Sequence, residues 1–508
     1  MNRRKFIAGM ATLPALPLLL KSCDWVTEDL PFPIQLHSDR KTGHLIFESN
    51  NFPVGNKEEV KTLIVGGGIA GLSAASVLNH QDFLLCELSD RLGGTSAALD
   101  YNGLKLAQGA HYDLEYPANY GNDVLSLLEN TGLIEYVKWK DSWRFTDESH
   151  IIPHELKNQC YQDGKKRSDV LAEGGMKNEF FALMDRYAGK MPMPTRLIQQ
   201  DLKHLNNITF LDFLKGKMSI DESFIRGLHY HMLDDWGGTA NQVSALAGIH
   251  YFQCRPYYKE VNELFSPPQG NDYFVQSLAE KLPQDHLKLN RLVKKLTYKN
   301  NFWEADVIDV TKRQITKVKA KQVVYAGQKH ALKYVLPEYY PLFETNEYAP
   351  WIVLNVVLNK PFQSFGFWQN EFLAKDQTFL GFIDSSAQYN RIQDRQVLTA
   401  YYCLPSASRK NLVNVEKNKT AIVNQTIKYI SDYFGESITH RIESAFINTM
   451  GHAMPIPKPG YLFQNKSAVT LSKGLVFAGV DHHRLPLLFE AIDSGLEAVK
   501  ALNKVELS

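Results

Sequence analysis

The stretch Lys61–Ser96, KTLIVGGGIAGLSAASVLNHQDFLLCELSDRLGGTS, decides the fold. It opens on a short apolar run that is typical of a buried strand. Gly66, Gly68 and Gly71 follow in the spacing GxGxxG. A helix-forming run of small residues and a second apolar run come next, and the second run ends at Glu87. This order predicts one βαβ unit that binds a dinucleotide, with Glu87 placed to accept hydrogen bonds from a ribose.

Each part of this unit has a physical role. Gly66 allows the tight turn, Gly68 lets the backbone approach a pyrophosphate, and Gly71 lets the helix lie close to the sheet. The amides at the start of the helix, near Ile69 and Ala70, have no partner within the helix and therefore face the anion. We expect these positions to form the phosphate-binding part of the site.

A second glycine segment, Arg91-Leu92-Gly93-Gly94, follows the unit directly. It resembles the second glycine motif of the flavin amine oxidase superfamily, which includes amine oxidases, protoporphyrinogen oxidases and phytoene-desaturase-like enzymes. The resemblance covers roughly residues 60–505 and implies an FAD cofactor whose pyrophosphate is wrapped by Arg91, Gly93 and Gly94. This chain has Thr95 where the family usually continues with Arg, which removes one charge near the phosphates.

The resemblance implies further FAD contacts in later segments. It implies backbone beside the isoalloxazine ring, a clasp around the adenine, an acid on the ribityl chain, and a helix whose N-terminus points at the flavin. Gly109 and Ala110 would lie beside the isoalloxazine ring, and Val293 would belong to the clasp around the adenine. Gly479 and Asp481 would lie at the ribityl chain, and Ala491 would lie in a helix over 486–502 that points at the flavin.

The chain departs from the family at three places near the flavin. Val353, Leu354 or Asn355 takes the place of the lysine that contacts the flavin N5 in amine oxidases. The tyrosine of the family's aromatic sandwich is replaced by leucine, at Leu487 or Leu488, and a glycine by Glu490. We therefore expect weak oxidation of primary amines, and a carboxylate at position 490 that meets the reduced flavin or the substrate.

Two histidines are candidates for acid–base catalysis. His111 follows Gly109 and Ala110, and His452 precedes Ala453 in a segment that resembles the Ala-x-Pro segment of protoporphyrinogen-oxidase-like enzymes. Histidine titrates near physiological pH, so it can hold or release a proton during a reaction. A structural histidine bonded to the backbone is the alternative interpretation for His111.

These features predict an α/β protein with a Rossmann-like FAD-binding domain and an inserted α+β substrate domain. The FAD-binding domain would comprise 61–137, 262–345 and 446–508, and the substrate domain 138–261, mainly helical, and 346–445. The expected activity is FAD-dependent oxidation of a C–N or C–C bond of a small or apolar substrate by hydride transfer, with oxygen or an envelope carrier as acceptor. Two alternatives stay open: an isomerase of the UDP-galactopyranose mutase kind, and a flavin-binding protein without catalysis.

The N-terminal segment reads as a targeting signal. Arg3-Arg4 precedes an apolar run too short to span a bilayer, which resembles a twin-arginine export signal over 1–23. Cys23 ends a lipoprotein-like processing box, so a lipid there would hold an exported protein at the envelope membrane; a plain secretory signal is the alternative. Residues 24–60 would form a tether, with a possible hairpin over 34–48.

Composition excludes several other classes. Lys+Arg number 56 against 55 for Asp+Glu, so the chain has no basic excess for binding nucleic acid. The 5 cysteines show neither metal-ligand spacing nor a disulfide framework, so no metal site is predicted. The oligomeric state is not readable.

Some aromatic side chains of the inserted block are possible pocket residues, although core packing is the simpler expectation: Trp236, Tyr251, Phe252, Tyr257 and Tyr258.

Overall fold

The structure is a computed structural model that describes residues 30–48, 51–78, 82–109, 120–254, 264–362, 366–373, 378–389, 391, 393–464 and 471–506. The predicted export signal with Cys23 lies outside these ranges, and so do Ala110, His111, Tyr257 and Tyr258. Within these ranges no helix has the length and apolar character needed to cross a membrane.

The strands of the described residues are β1 Ile34–His37, β2 Val54–Val65, β3 Phe83–Cys86, β4 Ala98–Tyr101, β5 Leu104–Ala107, β6 Ile134–Val137, β7 Ser142–Phe145, β8 Ile151–Ile152, β9 Asn158–Gln162, β10 Lys165–Arg167, β11 Leu264–Phe265, β12 Leu287–Lys288, β13 Arg291–Lys299, β14 Phe302–Asp309, β15 Gln314–Tyr325, β16 Tyr348–Leu358, β17 Gln369–Phe372, β18 Phe379–Asp384, β19 Gln396–Cys403, β20 Ile442–Pro455 and β21 Leu475–Phe477.

The α-helices are α1 Arg40–Glu48, α2 Ile69–Ser76, α3 Asn122–Asn130, α4 Gly175–Met184, α5 Phe210–Lys215, α6 Glu222–Trp236, α7 Ala245–Cys254, α8 Asp272–Ala279, α9 Leu332–Val335, α10 Ser385–Gln388, α11 Leu412–Lys417, α12 Lys419–Phe434 and α13 Leu488–Glu506.

A seven-stranded sheet carries the glycine motifs. Its strand order is β12-β3-β2-β15-β14-β13, and β21 also pairs with β15. The strands β2 and β3 run parallel, with Thr62 opposite Phe83, and α2 connects them. All of β3 is buried, as expected for a parallel strand that is covered on both faces. The predicted βαβ unit and the α/β fold are confirmed.

An eight-stranded sheet forms the second layer, in the order β1-β20-β16-β19-β18-β17-β9-β10. Its central strands are antiparallel, and every residue of β16 is buried. The helix α12 covers one face through a stripe of apolar residues that includes Val423, Ile427 and Ile430. The other face is therefore available to line a cavity.

The structure differs from the sequence predictions at three places: residues 34–48, the start of β2 and the course of β20. The possible hairpin over 34–48 is wrong, because β1 is followed by α1, and β1 pairs in parallel with β20. β2 begins at Val54, so part of the predicted tether belongs to the seven-stranded sheet. β20 runs across position 446, where the prediction placed a domain boundary, and stays paired with β16 as far as Pro455. The block 138–261, predicted as mainly helical, contains α4 to α7 and also supplies β9 and β10 to the eight-stranded sheet.

Candidate active site

A cavity of about 1200 Å³ is lined by residues of both sheets. Its walls include the loop after β2, the loop after β3, and the ends of β15 and β21. The predicted binding residues that line it are Gly66, Gly68, Ile69, Ala70, Glu87, Arg91, Gly93, Gly94, Gly109, Val293, Gly479, Asp481 and Ala491. His452 also lines this cavity, and Gly71 lies behind it.

The glycine loop is shaped for a bulky anion. A Cβ on Gly71 would lie 2.0 Å from the carbonyl oxygen of Gly66, so only glycine lets α2 pack this closely. A Cβ on Gly68 would meet nothing nearer than 3.7 Å, which leaves its Cα open to the cavity. The amide of Gly93 donates to the carbonyl of Gly67 at 2.9 Å, so the two glycine segments form one continuous wall.

Glu87 lies at the end of β3 with its carboxylate buried. One oxygen accepts from the amide of Gly67 at 2.6 Å and the other from the amide of Ser89 at 2.9 Å. Burial nevertheless raises the pKa of Glu87 to about 7, helped by the nearby charge of Asp39. Arg291, at the start of β13, lines the cavity beside it because its amide bonds to the Glu87 carbonyl at 2.7 Å.

Asp481 follows β21 and forms a buried ion pair that the sequence does not reveal. Lys329 Nζ lies 3.0 Å from Oδ1 of Asp481, and it also donates to the carbonyls of Gly327 and Ala478. Oδ2 of Asp481 accepts from the Lys329 amide at 2.7 Å and from the Tyr348 hydroxyl at 3.0 Å. A carboxylate offers about four acceptor positions, so Asp481 retains room for one further hydroxyl.

The segment at Gly109 is held by the eight-stranded sheet. The hydroxyl of Tyr401 donates to the Gly109 carbonyl at 3.1 Å, and the side-chain amide of Asn448 donates to the Gln108 carbonyl at 2.5 Å. A Cβ on Gly109 would lie 1.8 Å from the carbonyl oxygen of Thr95. Glycine is thus required here by the approach of Thr95, which differs from the predicted reason, the approach of a flavin.

His452 stacks on a second histidine that sequence reasoning missed. The rings of His452 and His330 lie 3.5 Å apart at 11°. Burial, followed by the neighbouring His330, Arg409 and Lys333, lowers the pKa of His452 to about 2. Burial also lowers the pKa of His330 to about 4. Both rings are therefore neutral at physiological pH, and a ring with the pKa of His452 is a poor proton acceptor.

The positions that depart from the family have distinct surroundings. Leu487 and Leu488 line the cavity at the start of α13, as expected for a helix aimed at it. The side chain of Asn355 donates to the Ala107 carbonyl at 2.9 Å and accepts from the Thr399 hydroxyl at 2.8 Å. Glu490 was predicted to meet flavin or substrate, and this is wrong: its carboxylate accepts from Thr195 and lies 3.3 Å from Arg484, outside the cavity lining.

Aromatic side chains reach the cavity from strands as well as from helices. Of the aromatic residues singled out from the sequence, Tyr251 and Phe252 line it, whereas Trp236 is fully buried and bonds to the Ala247 carbonyl. Trp351 and Tyr401 were not predicted, because their alternating strands read as ordinary core.

One group of acidic residues outside the cavity has ligand-like spacing within the described part of the chain: Asp123, Asp493 and Glu497. Arg196 pairs with all three carboxylates, and Lys500 and Arg484 add further positive charge. These cations already neutralise the cluster.

The sequence matches the family of flavin-containing amine oxidoreductases over residues 69–503. The chain belongs to this family. FAD is its cofactor, and it is a flavin-dependent oxidoreductase. The glycine wall, the carboxylate of Glu87 and the spare acceptor capacity of Asp481 fit FAD, since they offer a cradle for the pyrophosphate and partners for the ribose and the ribityl chain.

Individual relatives are distant. The corticosteroid-binding protein of Candida albicans is 26% identical over 260 residues, which cover 48% of this chain and 47% of the relative. The chain therefore matches about half the length of that protein. A redesigned putrescine oxidase superposes with a TM-score of 0.62 at 15% identity, covering 88% of this chain and 100% of the other. A putative protoporphyrinogen oxidase from Exiguobacterium sp. 255-15 gives 0.61 at 14% identity, with 90% and 99% covered. At these identities, the two structures establish the fold.

Proposed function

We propose that the protein oxidises a C–N or C–C bond of a small, largely apolar substrate and passes the electrons to oxygen or to an envelope carrier. The observation that carries this proposal is the continuity of one cavity, from the glycine wall to the aromatic face of the eight-stranded sheet. Bound FAD supplies the hydride acceptor.

The chain's own residues would bind, orient and exclude water. Gly68, Gly93 and Gly94 would bind the pyrophosphate. Glu87 would accept from the ribose hydroxyls on one side of it, and Asp481 from a ribityl hydroxyl on the other. Trp351 and Tyr401 would hold the apolar body of the substrate beside the Gly109 segment. Water is excluded from this wall because strands β16 and β19 are almost wholly buried.

The decisive experiment is anaerobic reduction of the bound flavin. Purified protein is mixed with amines, amino acids, porphyrinogens and polyenes, and the loss of flavin absorbance is followed. We expect bleaching by one class and slow bleaching by simple primary amines, because Val353, Leu354 and Asn355 leave no lysine at the family position. Oxygen consumption by the reduced protein then distinguishes an oxidase from a dehydrogenase. A protein that binds FAD but is reduced by none of these classes would contradict the proposal.

We further propose that His111 acts as the general base, with His452 supplying a hydrogen bond. The support is their positions in the chain, next to Gly109 and in β20, together with the low pKa of His452, about 2, which makes His452 a poor base. Replacing His111 with Ala should slow flavin reduction by about 10²–10⁴-fold while FAD stays bound. Loss of stability without loss of rate would show that His111 only braces the backbone.

We also propose that the protein is exported in folded form and held at a membrane by a lipid on Cys23. The support is Arg3-Arg4 and the Leu-Lys-Ser-Cys box. Changing both arginines to Lys should leave precursor inside the cell. Changing Cys23 to Ala should move the protein from the membrane fraction to the soluble fraction, and unchanged fractionation would refute the anchor.

A further inference from the structure

A row of paired residues crosses three strands of the eight-stranded sheet, from the Gly109 side to a buried acid. Tyr401 on β19 pairs with Gly381 on β18, and Gly381 pairs with Glu371 on β17. Directly paired residues point to the same face of a sheet, so Tyr401 and Glu371 face the same way, and both line the cavity. Neighbouring strands lie about 4.8 Å apart, which places Glu371 roughly 10 Å from Tyr401 along the row.

The position between them carries no side chain. Gly381 has φ +116°, and a Cβ there would lie 2.0 Å from the carbonyl oxygen of Asn370. Any other residue would therefore be strained and would clash with the backbone of β17. With glycine here, β18 places no side chain in the row between Tyr401 and Glu371.

Glu371 is poorly neutralised by the protein itself. Glu371 is only 3% exposed, and its Oε2 accepts a hydrogen bond from Asn158 Nδ2 at 3.2 Å. Within the described part of the chain no residue donates to Oε1. Burial is the main reason that the pKa of Glu371 rises to about 8, and the nearby carboxylates Asp169 and Asp234 raise it further.

Within the described residues, both carboxylates and cations line this end of the cavity: Asp169, Asp234, Asp235, Lys157 and Lys177. Lys177 already pairs with Asp169 at 2.8 Å and with Glu173 at 2.7 Å. Because Glu371 is buried and accepts a hydrogen bond at only one of its oxygens within the described residues, a positive charge brought in by a ligand would stabilise its ionised form.

We propose that Glu371 anchors a cationic group of the substrate, so that the preferred substrates combine an apolar body with a protonated amine or similar cation about 10 Å from the oxidised bond. This inference rests on the proposed function, since it takes the Gly109 side of the cavity as the reacting end. The apolar body would lie against Leu380 and Ile383, which line the same cavity.

The test is calorimetric binding of three probes of equal chain length to the FAD-containing protein without oxygen: n-octylamine, 1-octanol and octanoate. Wild-type protein should bind octylamine at least about tenfold more tightly than octanol, and octanoate most weakly. Glu371→Gln should lose most of that preference and keep its octanol affinity within about twofold. A buried carboxyl with a pKa of about 8 is largely protonated at neutral pH, so the amide should be accommodated without unfolding.

The matched control is Glu347→Gln, which alters a carboxylate paired with Lys458 outside the cavity lining and should bind all three probes as wild type does. Equal affinity for octylamine and octanol, or an octylamine preference that survives in Glu371→Gln, would overturn the anchor. The flavin reduction experiment is read separately on the same samples. An octylamine preference that depends on Glu371 in a protein whose flavin is never reduced would retain the anchor and reject the proposed reaction.

Discussion

The buried side chain of Lys329 connects the C-terminal ends of β15 and β21 and pairs with Asp481. Lys329 Nζ is fully buried and reaches carbonyls that follow β15 and β21 as well as the Asp481 carboxylate. Removing one partner of a buried ion pair leaves an uncompensated charge, which typically costs about 3–5 kcal/mol. We therefore expect Lys329→Met to lower the free energy of unfolding by about that amount, as measured by urea denaturation followed through tryptophan fluorescence. The double variant Lys329→Met with Asp481→Asn should regain much of it, and a single variant as stable as wild type would contradict this account.

The pKa of Glu371 gives a pH dependence whose direction is fixed. With a pKa of about 8, the carboxyl is about one-tenth ionised at pH 7 and about nine-tenths ionised at pH 9. A bound cation favours the ionised form, so the affinity for octylamine should rise about tenfold from pH 7 to pH 9, while the amine itself stays protonated. Within the described residues, the titratable or charged groups around Glu371 are Asp169, Asp234, Asp235, Lys157, Lys177, Cys160, Tyr230 and His231.

Three of these neighbours do not titrate in that range. Burial raises the pKa of Cys160 to about 12, raises that of Tyr230, and lowers that of His231 to about 4. Calorimetry at each pH, in buffers of different ionisation heat, measures both the affinity and the proton released. In Glu371→Gln the affinity should be flat with pH, and a slope equal to that of wild type would assign the effect to another group.

At the scale of elements, the turn between β2 and α2 is the part on which cofactor binding depends. Gly68 leaves open space beside its Cα, so Gly68→Asp should place a carboxylate where the pyrophosphate belongs and abolish FAD binding. The measurement is flavin content after reconstitution with excess FAD. Gly175→Asp is the control, because Gly175 is exposed at the start of α4 with nothing near its Cβ position. Full flavin content in Gly68→Asp would show that the cofactor lies elsewhere.

Elements with local determinants were predictable from the sequence. Thr209 caps α5 by accepting from the Asp212 amide, and the apolar spacing of α6 ends at Gly237, which has φ +66°. The segment 34–48 was mispredicted because Gly43 signals a turn locally. Tertiary contacts override that signal: Leu45 is buried and the Phe47 ring packs edge-on against Tyr334.

Contacts between segments that are distant in the sequence could not be predicted from local sequence patterns. The row from Tyr401 to Glu371 depends on the register of three strands, and no spacing along the chain encodes which strands become neighbours. Gly68 and Glu87, two of the cavity-lining residues that the sequence indicated, belong to a compact motif. His330 and Lys329 follow a strand without any motif, so their part in the cavity wall becomes visible only when β15, β20 and β21 are brought together.

For the whole molecule, an N-terminal strap comprising residues 34–48 joins the two sheets. Its strand β1 pairs with β20, while Ser38 and Arg40 donate to Glu416 in α11 at 3.2 and 3.1 Å. Strap residues His37, Arg40, His44 and Phe47 line the same cavity as Glu87 and Arg291. We infer that the strap covers the nucleotide end of the cavity and slows the loss of FAD.

Glu416→Gln weakens that attachment without changing a residue of the glycine wall. A partly exposed ion pair contributes up to about 1 kcal/mol, so the rate of flavin release should increase about two- to fivefold. The release is followed by the rise of free flavin fluorescence after dilution. Glu436→Gln, which breaks an ion pair with Arg441 outside the cavity lining, should release flavin at the wild-type rate. Equal rates in all three proteins would show that the strap does not retain the cofactor.

The pairing of β1 with β20 also orders events during synthesis. Ile34 faces Ala445, so β1, the first strand of the described residues, leaves the ribosome roughly 400 residues before its partner. At ordinary elongation rates this interval is about 20–80 s. Until then the outer edge of β20 does not exist and the strap has nothing to close against. FAD can therefore be enclosed by the strap only after the whole chain has been synthesised. Until then β1 has unpaired backbone groups that could pair with other strands.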